Sequence, residues 1–260
     1  MVKVNDNLPF HSDGYIDVEK WLQNIAKKGY SKDLDLLRSA STLVQLASHD
    51  HAIETGESCL HQSLCMGEVL ADLEVDPETL VAAVLYVSVH YAELSLEDVT
   101  EQFGTTIANL VIGVEKMSSL SQMGSESAYP LSKHQTDNMR KMLLAMVDDV
   151  RVVLIKLADR LCVLRSSAPI STPMRQKIAN EAMTIYAPLA HRLGIGAIKW
   201  EMEDLAFRYL QPNEYKAIAQ ELKAKRYDRE RYVQRIVEQL HHELKKLNIE
   251  HFKVYGRAKH

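Results

Sequence analysis

A chain of 260 residues can bury one large core or two small ones, and 46% hydrophobic with 25% charged residues is ordinary globular composition, which excludes a disordered chain. Ten Gly and seven Pro are too few for the tight turns of an all-β fold, so helices are expected. Thirty-one Lys and Arg against 35 Asp and Glu give a formal charge of −4, which argues against a general electrostatic grip on nucleic acid or an anionic membrane and leaves room only for a local basic patch.

Cys59, Cys65 and Cys162 are odd in number and lack Cys-x-x-Cys spacing, so neither a disulfide framework nor a structural zinc site is indicated. No base adjoins Cys59 or Cys65, which argues against a nucleophilic thiol. Met1 to Asp6 lack a basic segment followed by an apolar one, and the apolar run Leu80 to Ala92 is shorter than the roughly 20 residues of a membrane span. A cytoplasmic location without membrane association is expected.

Asp17 caps a helix that Gly29 ends, and Ser31 caps the next, where Leu34, Leu37, Ala40, Val44 and Ala47 recur at helical spacing. A third helix runs from about Ser58 to Leu73. Asp76-Pro77-Glu78 then supplies a cap, a proline at the first helical position and an acidic first turn. Apolar residues on every face of the helix to Tyr91 predict burial all round. Ser95 and Asp98 resemble a capping box, Gly104 is a stop, and Thr106 to Lys116 is apolar.

Gly124, Pro130 and six serines predict a loop from Ser118 to Ser132. A second capping box, Ser132 and Gln135, opens a helix with a methionine stripe through Val147, continued from Val150 to Arg165. Val152 to Ile155 alone would suit a strand, but Leu157, Leu161 and Leu164 favour helix. Thr172-Pro173 opens a helix kinked by Pro188 and ended by Gly194; further helices are predicted over Ile195 to Leu210, Pro212 to Arg226 and Asp228 to Leu247, with Asn248 as cap. His251 to Tyr255 alternates as a strand would.

Several segments, in order, resemble the RelA/SpoT family of alarmone synthetase-hydrolases. Asp76-Pro77-Glu78-Thr79-Leu80 through Leu85 is similar to the family's run into its His-Asp-x-x-Glu-Asp hydrolase motif. Asn138 to Val147, Leu157-Ala158-Asp159-Arg160, and Ile185-Tyr186-Ala187-Pro188-Leu189-Ala190-His191-Arg192-Leu193-Gly194-Ile195 follow the family's wording, and Tyr255-Gly256-Arg257-Ala258-Lys259-His260 resembles the opening of its synthetase domain. The resemblance implies an all-α, HD-domain-like multi-helix bundle over residues 1–195, connecting helices over 196–248, and the start of a truncated synthetase domain, with its first strand, over 249–260.

It also implies where function has been lost. The family hydrolase holds manganese through a histidine, the His-Asp pair and a later aspartate. Here the first corresponds to His61 and the last to Asp159, but the pair falls on Tyr86-Val87, the following Glu-Asp on His90-Tyr91, and the Asn after the aspartate on Val163. Valine cannot coordinate, and a phenol with pKa about 10 is a poor substitute for imidazole. No catalytic or metal-binding residue is therefore expected, and His61 and Asp159 are vestigial.

Arg257 and Lys259 match basic nucleotide-binding residues of the synthetase motif. For the longer protein the resemblance implies pyrophosphate transfer from ATP to GTP or GDP with magnesium. The partners it implies are the synthetase domain in cis and, through regions beyond this chain, the ribosome and uncharged tRNA. No cofactor and no direct nucleic-acid contact are expected in residues 1–260. Three alternatives stand beside this reading: a residual manganese hydrolase using His61, His90 and Asp159, a module that binds nucleotide without cleaving it, and an all-helical interaction domain.

Overall fold

The computed structural model describes residues 8–48, 51–92, 94–125, 149–246 and Val254, without the side chains of 120–125 and 222–231. The expected methionine-striped helix, Asn248, the strand over 251–255, Arg257 and Lys259 fall outside them, Val254 apart. The described residues are helical, with isolated bridges at Phe10–Ile16 and Ala52–Ser58 and no sheet. No helix among them is long and apolar enough to cross a membrane.

The chain divides into a body, 2–210, and a second unit over 211–260. The body comprises α1 (Val18–Ile25), α2 (Leu34–Ala47), α3 (Cys59–Asp72), α4 (Pro77–Tyr91), α5 (Leu96–Phe103), α6 (Thr105–Ser125), α7 (Val150–Ser166), α8 (Thr172–Glu181), α9 (Ala187–Arg192) and α10 (Gly196–Leu210). The second unit contains α11 (Pro212–Lys246).

Local chemistry fixes most of these boundaries. The side chains of Asp17, Ser58, Asp76, Ser95 and Asp149 each accept a hydrogen bond from a first-turn backbone N–H, satisfying donors a helix leaves unpaired. At Gly29, φ is +110°, a value that favours glycine, and it lies within a π turn (Ala26–Tyr30) that closes the first helical stretch. The following helix starts at Leu34 after Asp33, two residues later than the Ser31 cap predicts. Pro188 has no N–H to donate, and the chain absorbs the missing bond in a π turn (Ala182–Tyr186) between α8 and α9.

Two predicted boundaries are corrected. Helix α6 continues to Ser125, so the expected loop does not begin at Ser118; that serine is buried and its hydroxyl donates to the Val114 carbonyl, which keeps it compatible with a helix interior. The helices predicted over Pro212 to Arg226 and Asp228 to Leu247 are a single 35-residue helix, α11. Aspartate at 228 is a weak helix former, but no Gly or Pro interrupts the segment, and a cap-forming residue alone does not break a helix.

Helix α4 is the core of the body, with every residue from Thr79 to Ser88 buried. It packs against α2, α3, α6 and α7. Helices α1 and α3 approach closely at Gly67, where a Cβ would lie 2.7 Å from Cζ2 of the fully buried Trp21. The indole has no space to retreat, so Gly67→Ala is expected to cost about 1–3 kcal/mol, read as a lower urea midpoint with unchanged slope.

Candidate functional site

Four helices converge where the sequence places the metal site. Helix α7 contributes Lys156 and Asp159, one turn apart and buried; α3 contributes Gln62, α4 Tyr86 and α6 Ser118. The Lys156 ammonium donates to Asp159 Oδ2 at 2.8 Å and to Ser118 Oγ at 2.8 Å, and lies 3.4 Å from Tyr86 Oη. Gln62 Nε2 donates to Asp159 Oδ1 and to its backbone carbonyl, both at 3.0 Å. Tyr86 Oη and Ser118 Oγ are 2.8 Å apart. Each member is thus held by at least one other, the condition under which a buried polar network is tolerated.

The pair is ionised. Burial works against both charges, but attraction to Asp159 carries the Lys156 pKa above its usual value, and Lys156 with Arg160 carries Asp159 below the usual carboxylate range. Burial, then the Asp159 charge, pushes the Tyr86 phenol well up, so it stays neutral and serves as a hydrogen-bonding group. Arg160, next to Asp159, bonds Glu54 at 2.8 Å and Glu181 at 3.3 Å, which fixes the next turn of α7.

The remaining predicted residues are dispersed. His90 is on α4, but its Nδ1 lies 2.8 Å from Glu115 Oε1 and its ring stacks on Tyr86 at 5.5 Å. His61 Nδ1 is 3.7 Å from Glu57 Oε2. Val87 and Val163 are fully buried among apolar side chains. Among the described residues no three His, Cys, Asp or Glu side chains are placed to hold a metal, so the alternative cluster of His61, His90 and Asp159 is not assembled.

Manganese requires several oxygen and nitrogen ligands with free lone pairs. Asp159 already gives one carboxylate oxygen to an ammonium and the other to an amide. The two positions aligned with the His-Asp pair supply a neutral phenol and an alkyl group. The residues present do not fit the ion.

Beside this network lies a cavity of about 220 Å³, lined by Glu57, His61, Cys65, Cys162, Arg165 and Ser166 among others. Arg165 reaches it while paired to Glu201 at 2.6 and 2.8 Å. His61, one turn before Cys65 on α3, shares this cavity with it, contrary to the expectation that the thiol has no base nearby.

Sequence reasoning missed Lys156, Gln62 and Ser118. A lysine inside the apolar run Val152 to Ala158 with an aspartate three residues on was a readable sign of a buried i,i+3 pair. Gln62 and Ser118 carried no such sign, because only tertiary packing brings them to Asp159 and Lys156.

The sequence matches the HD domain family over residues 40–196. It is 44% identical over 207 residues to a GTP pyrophosphokinase of Photobacterium angustum, a match covering 80% of this chain and 28% of the relative. It is 39% identical over 247 residues to the GTP pyrophosphokinase of Escherichia coli K12 (95% and 33%), and 37% identical over 224 residues to that strain's bifunctional (p)ppGpp synthase/hydrolase SpoT (86% and 31%). The chain belongs to the HD-domain family, as the HD region of a RelA/SpoT-type protein. It spans about a third of the length of these relatives.

Proposed function

We propose that residues 1–195 form a hydrolytically silent HD domain with a regulatory role in a longer (p)ppGpp-synthesising protein. The observation that carries this reading is the engagement of Asp159 by Lys156 and Gln62, with Tyr86 and Val87 at the two central ligand positions. Hydrolysis in such a domain requires a metal-activated water, and a metal lowers the pKa of its water only when coordinated. The names of the relatives support the same assignment: identity is higher to two proteins named for synthesis than to the one named for both activities.

In this reading the longer protein transfers pyrophosphate from ATP to GTP or GDP with magnesium, during the stringent response in the cytoplasm. Arg257 and Lys259 belong to its nucleotide site. The helical body acts in cis on the synthetase domain, through contacts that differ between active and inactive states. Ribosome and uncharged tRNA are engaged by regions outside this chain.

The test uses the 260-residue chain with guanosine tetraphosphate and manganese. No pyrophosphate release and no saturable manganese binding in calorimetry are expected. Metal-dependent turnover that disappears in Asp159→Ala would overturn the silent assignment. The cavity beside His61 is smaller than the roughly 300–1,000 Å³ of typical small-molecule pockets, so calorimetry with the nucleotide alone is expected to show no heat.

A further inference from the structure

We propose that Cys65 and Cys162 are a thiol modification site: hydrogen peroxide entering the cavity they share converts them to a reversible disulfide that staples α3 to α7. This goes beyond the regulatory reading and does not depend on it.

Three observations carry the inference. Both cysteines line the same cavity although they come from helices 97 positions apart in sequence (162 minus 65), and both are otherwise buried, 6% and 2% exposed, so the cavity is their route to small solutes. The helices that carry them, α3 and α7, pack against one another, which brings the two positions to one face of the cavity from opposite helices. Cys59, the third free cysteine, is fully buried on α3 and is not among the residues that line this cavity, which supplies an internal comparison.

Burial separates the roles. It holds the Cys162 thiol well above its usual pKa, with Cys65 adding to the shift, so Cys162 keeps its proton. Cys65 shares the cavity with the Arg165 guanidinium and is the thiol more open to it, and a thiol attacks a peroxide through its thiolate form. Cys65 sulfur attacks one peroxide oxygen, the O–O bond breaks, and water leaves, giving a sulfenic acid at Cys65. The Cys162 sulfur then attacks the Cys65 sulfur, the S–OH bond breaks, and its hydroxyl leaves as water with the Cys162 proton. In total two thiols lose two electrons to one peroxide, two waters form, and a dithiol reverses the reaction.

Because both side chains face one cavity between packed helices, closing the bond at an S–S distance of about 2.05 Å calls for side-chain rotation and local shifts of α3 and α7. The high thiol pKa of Cys162 makes closure slow, which suits a pair that remains reduced under ordinary cytosolic conditions and closes under sustained oxidant.

The experiment treats the native 260-residue chain with a small molar excess of hydrogen peroxide, alkylates remaining thiols and maps peptides by mass. The expected product is a peptide pair linked through Cys65 and Cys162 that dithiothreitol releases, with Cys59 alkylated to the same extent as in untreated protein. In Cys162→Ala, dimedone should label Cys65, and Cys59→Ala should leave the cross-link unchanged. The proposal is overturned if Cys65 and Cys162 stay as alkylatable as before treatment, if links involving Cys59 form as readily, or if the Cys65–Cys162 link appears only in urea.

Discussion

Lys156→Met is expected to destabilise the body by about 3–5 kcal/mol, because it removes the ammonium bonded to a carboxylate at 2% exposure and leaves Ser118 and Tyr86 without their cationic donor. For a unit of about 200 residues this corresponds to a melting temperature roughly 10 °C lower. The loss is not the worth of the ion pair itself. Most of it is the cost of an uncompensated buried charge, so the double variant Lys156→Met/Asp159→Leu should recover most of the stability, to within about 1–2 kcal/mol of the parent. A double variant as unstable as the single one would mean that the pair stabilises rather than merely compensates.

The pH dependence gives an independent reading. Asp159 has its pKa lowered in the folded state, so its contribution is present above the unfolded value of about 3.9 and is lost as pH falls through the folded one. Lys156 has its pKa raised, so its contribution is complete below about 10.4 and is lost as pH rises through the folded value. The stability difference between the parent and the double variant should therefore be flat from about pH 5 to pH 9 and change only outside that window. Urea titrations at several pH values measure it directly.

The helices were readable because their signals are local. Asp17, Asp76 and Ser95 cap the helices they were expected to cap, and the absence of a polar face on Leu80 to Val89 marked α4 as the centre of the bundle. The exceptions are local signals overridden by context. Ser118 looked like loop material beside a serine-rich segment, yet its hydroxyl bonds back to Val114, and the ammonium of Lys156 gives it a buried partner. That Tyr86 and Val87 stand at the positions of the expected His-Asp pair was legible, but what engages Asp159 was not, since it depends on which side chains three other helices turn toward α7. Spacing along one helix can nominate Lys156 and Asp159 as a pair; it cannot show that the phenol replacing a histidine joins them through Ser118.

Placing the family's His-Asp pair at 86 and 87 is expected to harm the domain rather than create a metal site. In Tyr86→His/Val87→Asp, the new carboxylate enters a position with no exposure, surrounded by apolar side chains, and has no cation within the described network that is not already taken by Asp159. An unpaired buried carboxylate costs several kcal/mol, and the change also deletes the Tyr86–Ser118 hydrogen bond and the stacking on His90, so a loss of about 4 kcal/mol or more is expected. Manganese would rescue this variant only if it bound the folded state preferentially, which raises stability with metal concentration. Binding would first have to displace the Lys156 ammonium from Asp159, bringing a divalent cation next to a fixed positive charge that has nowhere to go within the buried network. The melting temperature of the double variant should consequently be as insensitive to millimolar manganese as that of the parent. A manganese-dependent rise confined to the variant would show that the ammonium yields to a metal once the His-Asp pair is present, and that Tyr86 and Val87 alone had closed the site.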